Sequence, residues 1–317
     1  MFFEIFEAWY FYYTGLLYCL YLGSQVLFSA AVMIYRKYKP IDMAAIYGEN
    51  SYALITGATS GIGKQIAFSL CKRNINVILV SRDAKKLEQV CGELLKAYPR
   101  RSVITVQKDF KDSMKEGFHK DLYEQTKNYD ISMIINNVGI GYSDTQQIDL
   151  FIERKDPAQI LEMIYVNILS YTLNHFYFYN KLRQRTKCSL FFDVSSISAY
   201  NRVIISNIYS CTKNFNKYIS NSLAYMNTDP KVHYLCFTPS LIKTALSDSV
   251  IKMLKTSAPG ALTTEQAVET IFQFCGLTQS SPGHVIHAVF LCTMEFFMLI
   301  DSLAIMRFVH AFWRKNL

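Results

Sequence analysis

The chain lacks the patterns that mark several large classes of protein. It has no CxxC pair, no internal repeat and no low-complexity tract, and its eight cysteines lie far apart. This spacing argues against a structural zinc site and against the disulfide framework of a small secreted protein. We therefore expect reduced thiols in a domain that faces the cytosol, at Cys19, Cys71, Cys91, Cys188, Cys211, Cys236, Cys275 and Cys292.

Acidic residues are fewer than basic ones, 25 against 33, which gives a formal net charge of +8. The basic residues are scattered, and no arginine-rich helix or base-stacking motif accompanies them, so a nucleic-acid partner is not expected. The positive charge instead favours an anionic partner, such as a phosphorylated cofactor, an acidic lipid headgroup or a coenzyme A ester.

Charged residues are absent between Ala8 and Tyr35, a run longer than the roughly 20 residues that a helix needs to cross a bilayer. Glu4 and Glu7 precede this run, whereas a cleaved signal peptide begins with positive charge. We therefore predict a retained transmembrane helix. A basic cluster that begins at Arg36 follows it, and positive charge prefers the cytoplasmic side, so the rest of the chain is expected in the cytosol.

A second apolar stretch, Val285–Val309, is interrupted by Glu295, Asp301 and Arg307. Each charge would cost about 2.5–3.5 kcal/mol at the centre of a bilayer, which argues against a second independent crossing. We expect an interfacial or re-entrant helix, with an amphipathic helix packed on the domain or on a second subunit as an equal alternative. The basic tail at 314–317 resembles an endoplasmic-reticulum retrieval signal, which favours that membrane.

Between these apolar segments the sequence alternates short β-branched runs with helix-like segments, the pattern of a parallel sheet covered by helices on both faces. The pattern predicts a doubly wound, Rossmann-type α/β domain over 49–280, after an anchor and basic linker over 1–48 and before a hydrophobic segment over 281–317. The predicted strands are Tyr52–Thr56, Val77–Ser81, Val103–Gln107, Ile131–Asn136, Leu190–Ser195 and Val232–Phe237.

A glycine-rich turn follows the first predicted strand. Glycines at Gly57, Gly61 and Gly63 permit a tight turn and let backbone amides approach a pyrophosphate at the start of a helix. An ordinary strand-to-helix turn is the alternative. At the end of the second strand, Arg82 would bind the 2′-phosphate of NADP, unless Arg82 is merely solvated and Asp83 caps the next helix.

Tyr209 and Lys213 are four residues apart, so on a helix they share one face. A nearby ammonium favours the phenolate of tyrosine, whose ordinary pKa near 10 is too high for efficient proton transfer at neutral pH. The spacing alone is weak evidence, because tyrosine and lysine often form such a pair on a protein surface.

Together these elements resemble the short-chain dehydrogenase/reductase superfamily over about residues 50 to 260. TGATSGIG is similar to the family's cofactor turn, the aspartate of KDF matches the acidic residue near the adenine, and NNVG matches the element that steadies the central sheet. The resemblance implies that NADP(H) is bound by Gly57, Thr59, Ser60, Gly61, Ile62, Gly63, Arg82, Asp109, Asn137, Gly139, Tyr209, Lys213, Pro239 and Thr244.

The resemblance also implies the catalytic roles. Tyr209 would donate the proton, while Ser196, which lies 13 residues before it, would bind the substrate carbonyl. Lys213 would lower the pKa of the tyrosine and bind the nicotinamide ribose, and Asn167 in YVN would hold a relay water. The segment PSLIKT at 239–244 would cover the nicotinamide and contact its carboxamide through the threonine.

Within the superfamily the chain is similar to the very-long-chain 3-oxoacyl-CoA reductases, the branch that contains 17β-hydroxysteroid dehydrogenase type 12. The likeness lies in the N-terminal anchor, YGENSYALITGATSGIGK, SRDAKKLEQV, NNVG, YSCTKNF and GHVIHAVF. Two positions depart from the pattern, because Ser60 stands where the branch commonly has aspartate and Ser240 where the superfamily usually has glycine. Ser60 would affect nucleotide preference and Ser240 the substrate mouth, but neither change removes a catalytic group.

The resemblance therefore implies reduction of a 3-oxoacyl-CoA with NADPH during very-long-chain fatty acid elongation, on the cytosolic face of the endoplasmic reticulum. Reduction of a 17-ketosteroid or another lipophilic ketone and a catalytically inactive membrane scaffold stay open as alternatives. Membrane lipid, other elongation enzymes and a second copy of the chain are the further partners considered. His284 and His287 could bind a metal from adjacent helical turns, but without an evident third ligand a packing role is expected.

Overall fold

The runs of β-branched and aromatic residues form one parallel sheet in the computed structural model, which describes residues 2–141, 157–200, 207–247 and 260–296. The strand order is β3-β2-β1-β4-β5-β6-β7, and the fold class is as predicted. The strands are β1 Tyr52–Thr56, β2 Asn76–Ser81, β3 Val103–Gln107, β4 Ile131–Asn136, β5 Ser189–Val194, β6 Val232–Phe237 and β7 Ser280–Ser281.

Helices cover both faces of this sheet, as crossovers between parallel strands require. They are α1 Phe2–Tyr38, α2 Met43–Tyr47, α3 Gly61–Lys72, α4 Ala84–Ala97, α5 Phe118–Thr126, α6 Pro157–Ile164, α7 Ser170–Arg183, α8 Asn207–Met226, α9 Thr264–Ile271 and α10 Val285–Phe296. A π-helical segment, Tyr165–Leu169, joins α6 to α7. It widens the helix at the position of a predicted catalytic residue, a place where such bulges recur.

Successive residues of a strand point to opposite faces, so each central strand contributes to two hydrophobic cores. In β4, Met133 and Ile135 join one core with α2, α3, α4 and α9, whereas Ile134 joins the other with α5, α7 and α8. Both faces of β4 are fully buried. This explains why the central strands read as continuous apolar runs, and it fixes the carboxyl edge of the sheet as a rigid platform.

The helix α1 is long and apolar enough to cross a membrane over Tyr12–Tyr38, which fits the predicted anchor. One stripe of it also packs on the domain. Ser29 and Val32 are buried, and the Phe28 ring lies 6.3 Å from the Phe274 ring, edge to face. Arg36 Nε donates to the carbonyl oxygen of Gln273 at 3.2 Å. The anchor is therefore docked at its C-terminal end.

The helix α10 packs beside α1, with the Cys292 sulfur donating to the carbonyl oxygen of Leu22 at 3.3 Å. Ala288 and Leu291 on this helix are buried, while Val289 and Phe290 are about half exposed. One face of α10 therefore packs on the chain itself. Contact of its other face with lipid stays a prediction. Residues 297–317, which carry the later interruptions of the apolar stretch and the basic tail, lie outside the described residues.

Candidate active site

The glycine-rich turn lies at the carboxyl end of β1, where the strand order reverses and ligands bind in doubly wound folds. Gly57 and Gly61 have positive φ angles of 67° and 53°, which L side chains rarely adopt. At Gly63 an added Cβ would collide with Asn137 Nδ2 and with the carbonyl oxygen of Gly57. The turn therefore needs glycine at all three positions for physical reasons.

Asn137 fastens this turn from the end of β4. Its side-chain amide donates to the carbonyl oxygens of Thr56 at 2.9 Å and Gly57 at 3.2 Å. Its own backbone N–H donates to Thr56 Oγ1 at 3.0 Å. Asn137 therefore holds the glycine-rich turn in place through its backbone, and contact of Asn137 with a cofactor stays a prediction.

The amino end of α3 can receive a phosphate. Its N-cap, Ser60, is exposed and makes no side-chain bond to the first helical turn, so these N–H groups are not satisfied by their own cap. Such amides, together with the helix dipole, bind anions. Thr59 Oγ1 hydrogen-bonds Ser81 Oγ at 2.9 Å, which ties the turn to β2, while Ile62 packs on the core. These residues fit a dinucleotide pyrophosphate.

At the end of β2, Asp83 caps α4 by accepting from the Lys86 backbone N–H at 3.1 Å. This part of the alternative interpretation is correct. Arg82 is exposed, and its carbonyl oxygen accepts from Gln107 Nε2 at 3.0 Å. Because Asp83 is engaged by the helix, the exposed guanidinium of Arg82 is the better placed of the two groups to meet a ribose substituent.

Asp109 lies just beyond β3 on the same edge of the sheet, where its carboxylate accepts from the Lys111 backbone N–H at 3.1 Å. Thr244 reaches the turn from the other side. A Cβ added at Gly61 would lie 3.3 Å from Thr244 Cγ2. The carbonyl oxygen of Pro239 accepts from the Ile197 backbone N–H at 2.8 Å. The predicted covering segment thus contacts both the turn and the loop after β5.

Asn167 is fully buried in the π-helical segment. Its Oδ1 accepts from the Ile140 backbone N–H at 2.9 Å, and its Nδ2 donates to the Ile140 carbonyl oxygen at 2.9 Å and to Thr212 Oγ1 at 3.0 Å. Both amide protons are therefore engaged in joining the loop after β4 to α8. The role in holding a relay water stays a prediction, which the second lone pair of Oδ1 would have to serve.

The structure brings Ser196, Tyr209 and Lys213 together at the carboxyl end of β5. Ser196 lies close enough to Tyr209 to lower the pKa of its hydroxyl as a hydrogen-bond donor, and it also caps a short 3₁₀ turn. Lys213 Nζ lies 5.7 Å from the Tyr209 ring centre and donates to the carbonyl oxygen of Val194 at 2.9 Å. A Cβ added at Gly139 would lie 3.3 Å from Lys213 Nζ, so glycine keeps the space beside the ammonium open.

Burial dominates the proton affinities of this group. It raises the pKa of Tyr209 to about 12, although the Ser196 hydrogen bond opposes the rise. Burial also lowers the pKa of Lys213 to about 8, with Cys236 and Asp193 opposing the fall. The expected net lowering of the tyrosine pKa by Lys213 is therefore not found in the chain alone, because desolvation of the buried phenolate outweighs the opposing effect of Ser196.

The histidines near the C-terminus serve local packing in the described structure. His287 is buried, and its Nδ1 accepts from the Ser240 backbone N–H at 3.3 Å. His284 Nδ1 accepts from the Ile286 backbone N–H at 3.2 Å. Ser240, one of the two departures from the family pattern, is thereby held against α10 rather than left in a free loop.

Sequence reasoning missed a buried polar network below the site. Asn136 Nδ2 donates to Asp193 Oδ1 at 2.8 Å, and His175 Nε2 contacts the same carboxylate at 2.9 Å. Asn174 Nδ2 donates to Asn136 Oδ1 at 2.9 Å, and His119 Nδ1 contacts Asn174 Oδ1 at 3.1 Å. The signals in the sequence were Asn136 of the NNVG motif and the single aspartate inside the apolar strand SLFFDV.

Known proteins that resemble this chain include three relatives that align over most of it. A family model described as short chain dehydrogenase matches residues 51–255. The 17-beta-hydroxysteroid dehydrogenase type 3 of Homo sapiens is 31% identical over 74% of this chain and 73% of its own length. The very-long-chain 3-oxoacyl-CoA reductase let-767 of Caenorhabditis briggsae is 29% identical over 85% and 82%. The very-long-chain 3-oxoacyl-CoA reductase of Homo sapiens is 28% identical over 76% and 74%.

Solved structures share the fold. A 3-ketoacyl-(acyl-carrier-protein) reductase from Brucella melitensis, complexed with NADH, has a TM-score of 0.63 at 22% identity and covers 73% of this chain and 95% of its own. An enzyme from Sphingobium yanoikuyae in complex with NADPH has a TM-score of 0.62 at 20% identity, with coverages of 71% and 84%. At these identities the likeness establishes the architecture, and the chemistry has to be argued from the residues.

Proposed function

The chain belongs to the short-chain dehydrogenase family and is therefore an oxidoreductase, and we propose that it reduces the 3-keto group of a 3-oxoacyl-CoA with NADPH. One observation carries the proposal: Ser196, Tyr209 and Lys213 meet beside a turn that fits a dinucleotide. Two of the three relatives described above are named as very-long-chain 3-oxoacyl-CoA reductases, which supports the substrate class.

Bound NADPH would supply the hydride, and the residues of the chain manage the oxygen of the ketone. With a pKa of about 12, Tyr209 is protonated at neutral pH and is ready to give its proton to the developing alkoxide. Ser196, which lies beside Tyr209, would donate to the same oxygen and polarise the carbonyl. The protonated form of Tyr209 that the free enzyme holds at neutral pH is thus the form that reduction of a ketone requires.

Lys213 and Asn167 support this pair. The ammonium lies near the Tyr209 ring and beside the space left by Gly139, where it would bind the nicotinamide ribose. Asn167 joins the loop after β4 to α8 and so holds the donors in register. A relay water on Asn167 would return a proton to Tyr209 after each turnover.

The cofactor preference follows from Arg82. Its guanidinium is exposed at the end of β2, while the neighbouring Asp83 is used as a helix cap. A guanidinium can bind phosphate through two parallel hydrogen bonds, which a ribose hydroxyl cannot match. We therefore assign NADP(H) rather than NAD(H) as the cofactor.

Membrane attachment suits such a substrate. Each CH₂ group favours leaving water by about 0.8 kcal/mol, so a very long acyl chain resides in lipid. The helix α1 is able to place the active site at that surface. By the same reasoning we propose the cytosolic face of the endoplasmic reticulum as the location, with elongation enzymes as neighbours.

The test uses the full chain solubilised in detergent. NADPH and NADH oxidation is followed with 3-oxoacyl-CoA substrates of increasing chain length and with a 17-ketosteroid. We expect NADPH-dependent turnover that rises with acyl length. The steroid is the second candidate because of the 31% identity to a 17-beta-hydroxysteroid dehydrogenase. Preference for the steroid would replace the substrate assignment, and absence of turnover with every ketone would leave a binding or scaffold role.

A further inference from the structure

Asp193 is a fully buried carboxylate under the active site. It lies on β5 directly before Val194, whose carbonyl oxygen accepts hydrogen bonds from Lys213 Nζ and from the Tyr171 hydroxyl, both at 2.9 Å. A buried charge is costly unless hydrogen bonds and an opposite charge compensate it. The surroundings of Asp193 provide both.

The hydrogen bonds around Asp193 all run toward it. Asn174 Oδ1 must accept from His119 because Asn174 Nδ2 donates to Asn136, and Asn136 Nδ2 in turn donates to Asp193. From the other side His175 Nε2 contacts both carboxylate oxygens, at 2.9 and 3.2 Å. Two series of donors therefore converge on one acceptor, the arrangement that stabilises an ionised carboxylate.

The surroundings of His175 indicate which of its ring nitrogens donates to this carboxylate. His175 Nδ1 is buried without a hydrogen-bond partner. A proton there would be an unsatisfied buried donor on a charged ring, which costs more than an unpaired lone pair. The Nε2–H tautomer of His175, which donates to Asp193 and leaves Nδ1 as an unpaired acceptor, therefore fits this environment.

Lys213 is a positive group on which the charge of Asp193 acts: its ammonium binds the carbonyl oxygen of the residue next to Asp193, and the carboxylate raises the pKa of the lysine. The titratable groups that face the ammonium are Tyr209 from its own helix, Tyr171 from α7, and Asp193 and Cys236 from the sheet. Burial raises the pKa of the Cys236 thiol and of both tyrosine hydroxyls, so these three groups are neutral at working pH. Tyr234, which also faces Asp193, is neutral because burial raises its pKa too.

We propose that Asp193 is a positioning residue that acts as the buried counter-charge of Lys213 and keeps this lysine protonated at the pH at which the enzyme works. This role rests on the proposed reductase function, because it explains how an ammonium persists in a desolvated site. Asp193 itself touches neither substrate nor cofactor. Its effect reaches the reaction through Lys213.

Two double variants separate charge from hydrogen bonding. Asn136→Asp/Asp193→Asn moves the carboxylate one strand away, and the new amide at 193 can donate to it while accepting from His175. Asp193→Asn/His175→Gln deletes the charge, and the glutamine can accept from the new amide, whose oxygen still accepts from Asn136. The single variant Asp193→Asn deletes the same charge while His175 is retained. Thermal midpoints confirm that each variant is folded.

Two readouts are taken on full-length protein in detergent. Trace acetylation with acetic anhydride across pH, with mass spectrometry of the peptide that contains Lys213, titrates the amine without cofactor or turnover. The pH dependence of kcat with NADPH and a 3-oxoacyl-CoA gives the second titration. We expect both midpoints to fall by about one pH unit when the charge is deleted and to stay near the wild-type value when it is moved.

Equal midpoints in the wild type and in the charge-deleted variants would overturn the proposal, as would equal shifts in the charge-deleted and charge-moved proteins. If acetylation shifts as expected but no ketone is reduced, the role of Asp193 stands and the proposed reaction fails. If the ketone is reduced and neither midpoint shifts, the proposed reaction stands and the role of Asp193 fails.

Discussion

At the scale of single residues, the Tyr209 hydroxyl is the group whose loss should cost most. Tyr209→Phe removes the transferable proton and keeps the ring that packs near Lys213. We expect kcat to fall about 100- to 10,000-fold, the usual contribution of a positioned general acid. Stopped-flow measurement of NADPH oxidation checks this, with NADPH binding by fluorescence as the control. An unchanged kcat would remove Tyr209 from the mechanism.

Arg82 should set the cofactor preference. Arg82→Ala is expected to raise the KM for NADPH about 10- to 100-fold, because a charged hydrogen bond contributes about 1.5–3 kcal/mol. The KM for NADH should hardly change. Lys85→Ala, at another basic residue of the same region, is the matched control. Equal effects of Arg82→Ala on both cofactors would contradict the assignment of NADPH.

The predicted site residues that the structure brings together are those marked by short motifs. The motifs TGATSGIG and YSCTK predict their own local geometry, because glycine conformation and helical spacing depend on residues that are close together in the sequence. Asp193 and His175 could not be paired in this way, since 18 residues separate them and each meets the other only through folding. The pKa of Tyr209 was also misjudged, because burial cannot be read from a pentad.

At the scale of elements, the turn between β1 and α3 should tolerate no side chain at Gly63. Gly63→Ala would force Asn137 Nδ2 and the Gly57 carbonyl oxygen apart, and such overpacking costs about 1–3 kcal/mol. We expect a lower thermal midpoint and weaker NADPH binding, measured by scanning fluorimetry and fluorescence titration.

Gly92→Ala provides the opposite control in the helix α4. Nothing lies within 4 Å of a Cβ added at this position. Alanine should therefore stabilise the helix by about 0.5–1 kcal/mol and leave NADPH binding unchanged. If both glycine variants behaved alike, the steric account of the turn would be wrong.

The docking of α1 predicts that the anchor contributes to stability. Val32→Ala removes two methyl-sized groups from a buried position and should cost roughly 1.5 kcal/mol. Leu27→Ala, on the exposed side of the same helix, should have little effect in a detergent micelle. The thermal midpoints of the two variants test whether the buried side of α1 contributes to stability. Equal midpoints would mean that α1 is a tether without a docking face.

Elements differ in how clearly the sequence indicates them. The six long strands were predicted within one residue at each end, because their apolar runs are bounded by polar turns. The strand β7 was missed, since Ser280 and Ser281 give a two-residue polar strand with no periodicity to detect. The docked stripe of α1 was missed as well, because a charge-free run looks the same on every side of the helix.

At the scale of the whole molecule, the buried network should make the fold sensitive to mild acid. Burial lowers the pKa of His119 from 6.5 to about 4, so the folded chain keeps it neutral where the unfolded chain binds a proton. The unfolded state then holds more protons, and stability falls as pH drops from about 6.5 toward 4. By pH 5 this one histidine should cost about 2 kcal/mol.

His119→Gln tests this account, because the amide can still donate to Asn174 but does not titrate. The variant should lose less stability than the wild type between pH 7 and pH 5, as measured by urea midpoints at both values. Equal losses in the two proteins would assign the acid sensitivity to other groups.

The contact between Arg36 and Gln273 joins positions 237 residues apart. Ribosomes add about 5–20 residues per second, so roughly 10–50 s pass between the synthesis of these two positions. During that interval the nascent anchor can already enter the bilayer, while the surface it will dock against does not yet exist. Docking of this end of α1 therefore has to wait until most of the domain has been synthesised, and the unfinished domain emerges while its anchor is already held at the membrane.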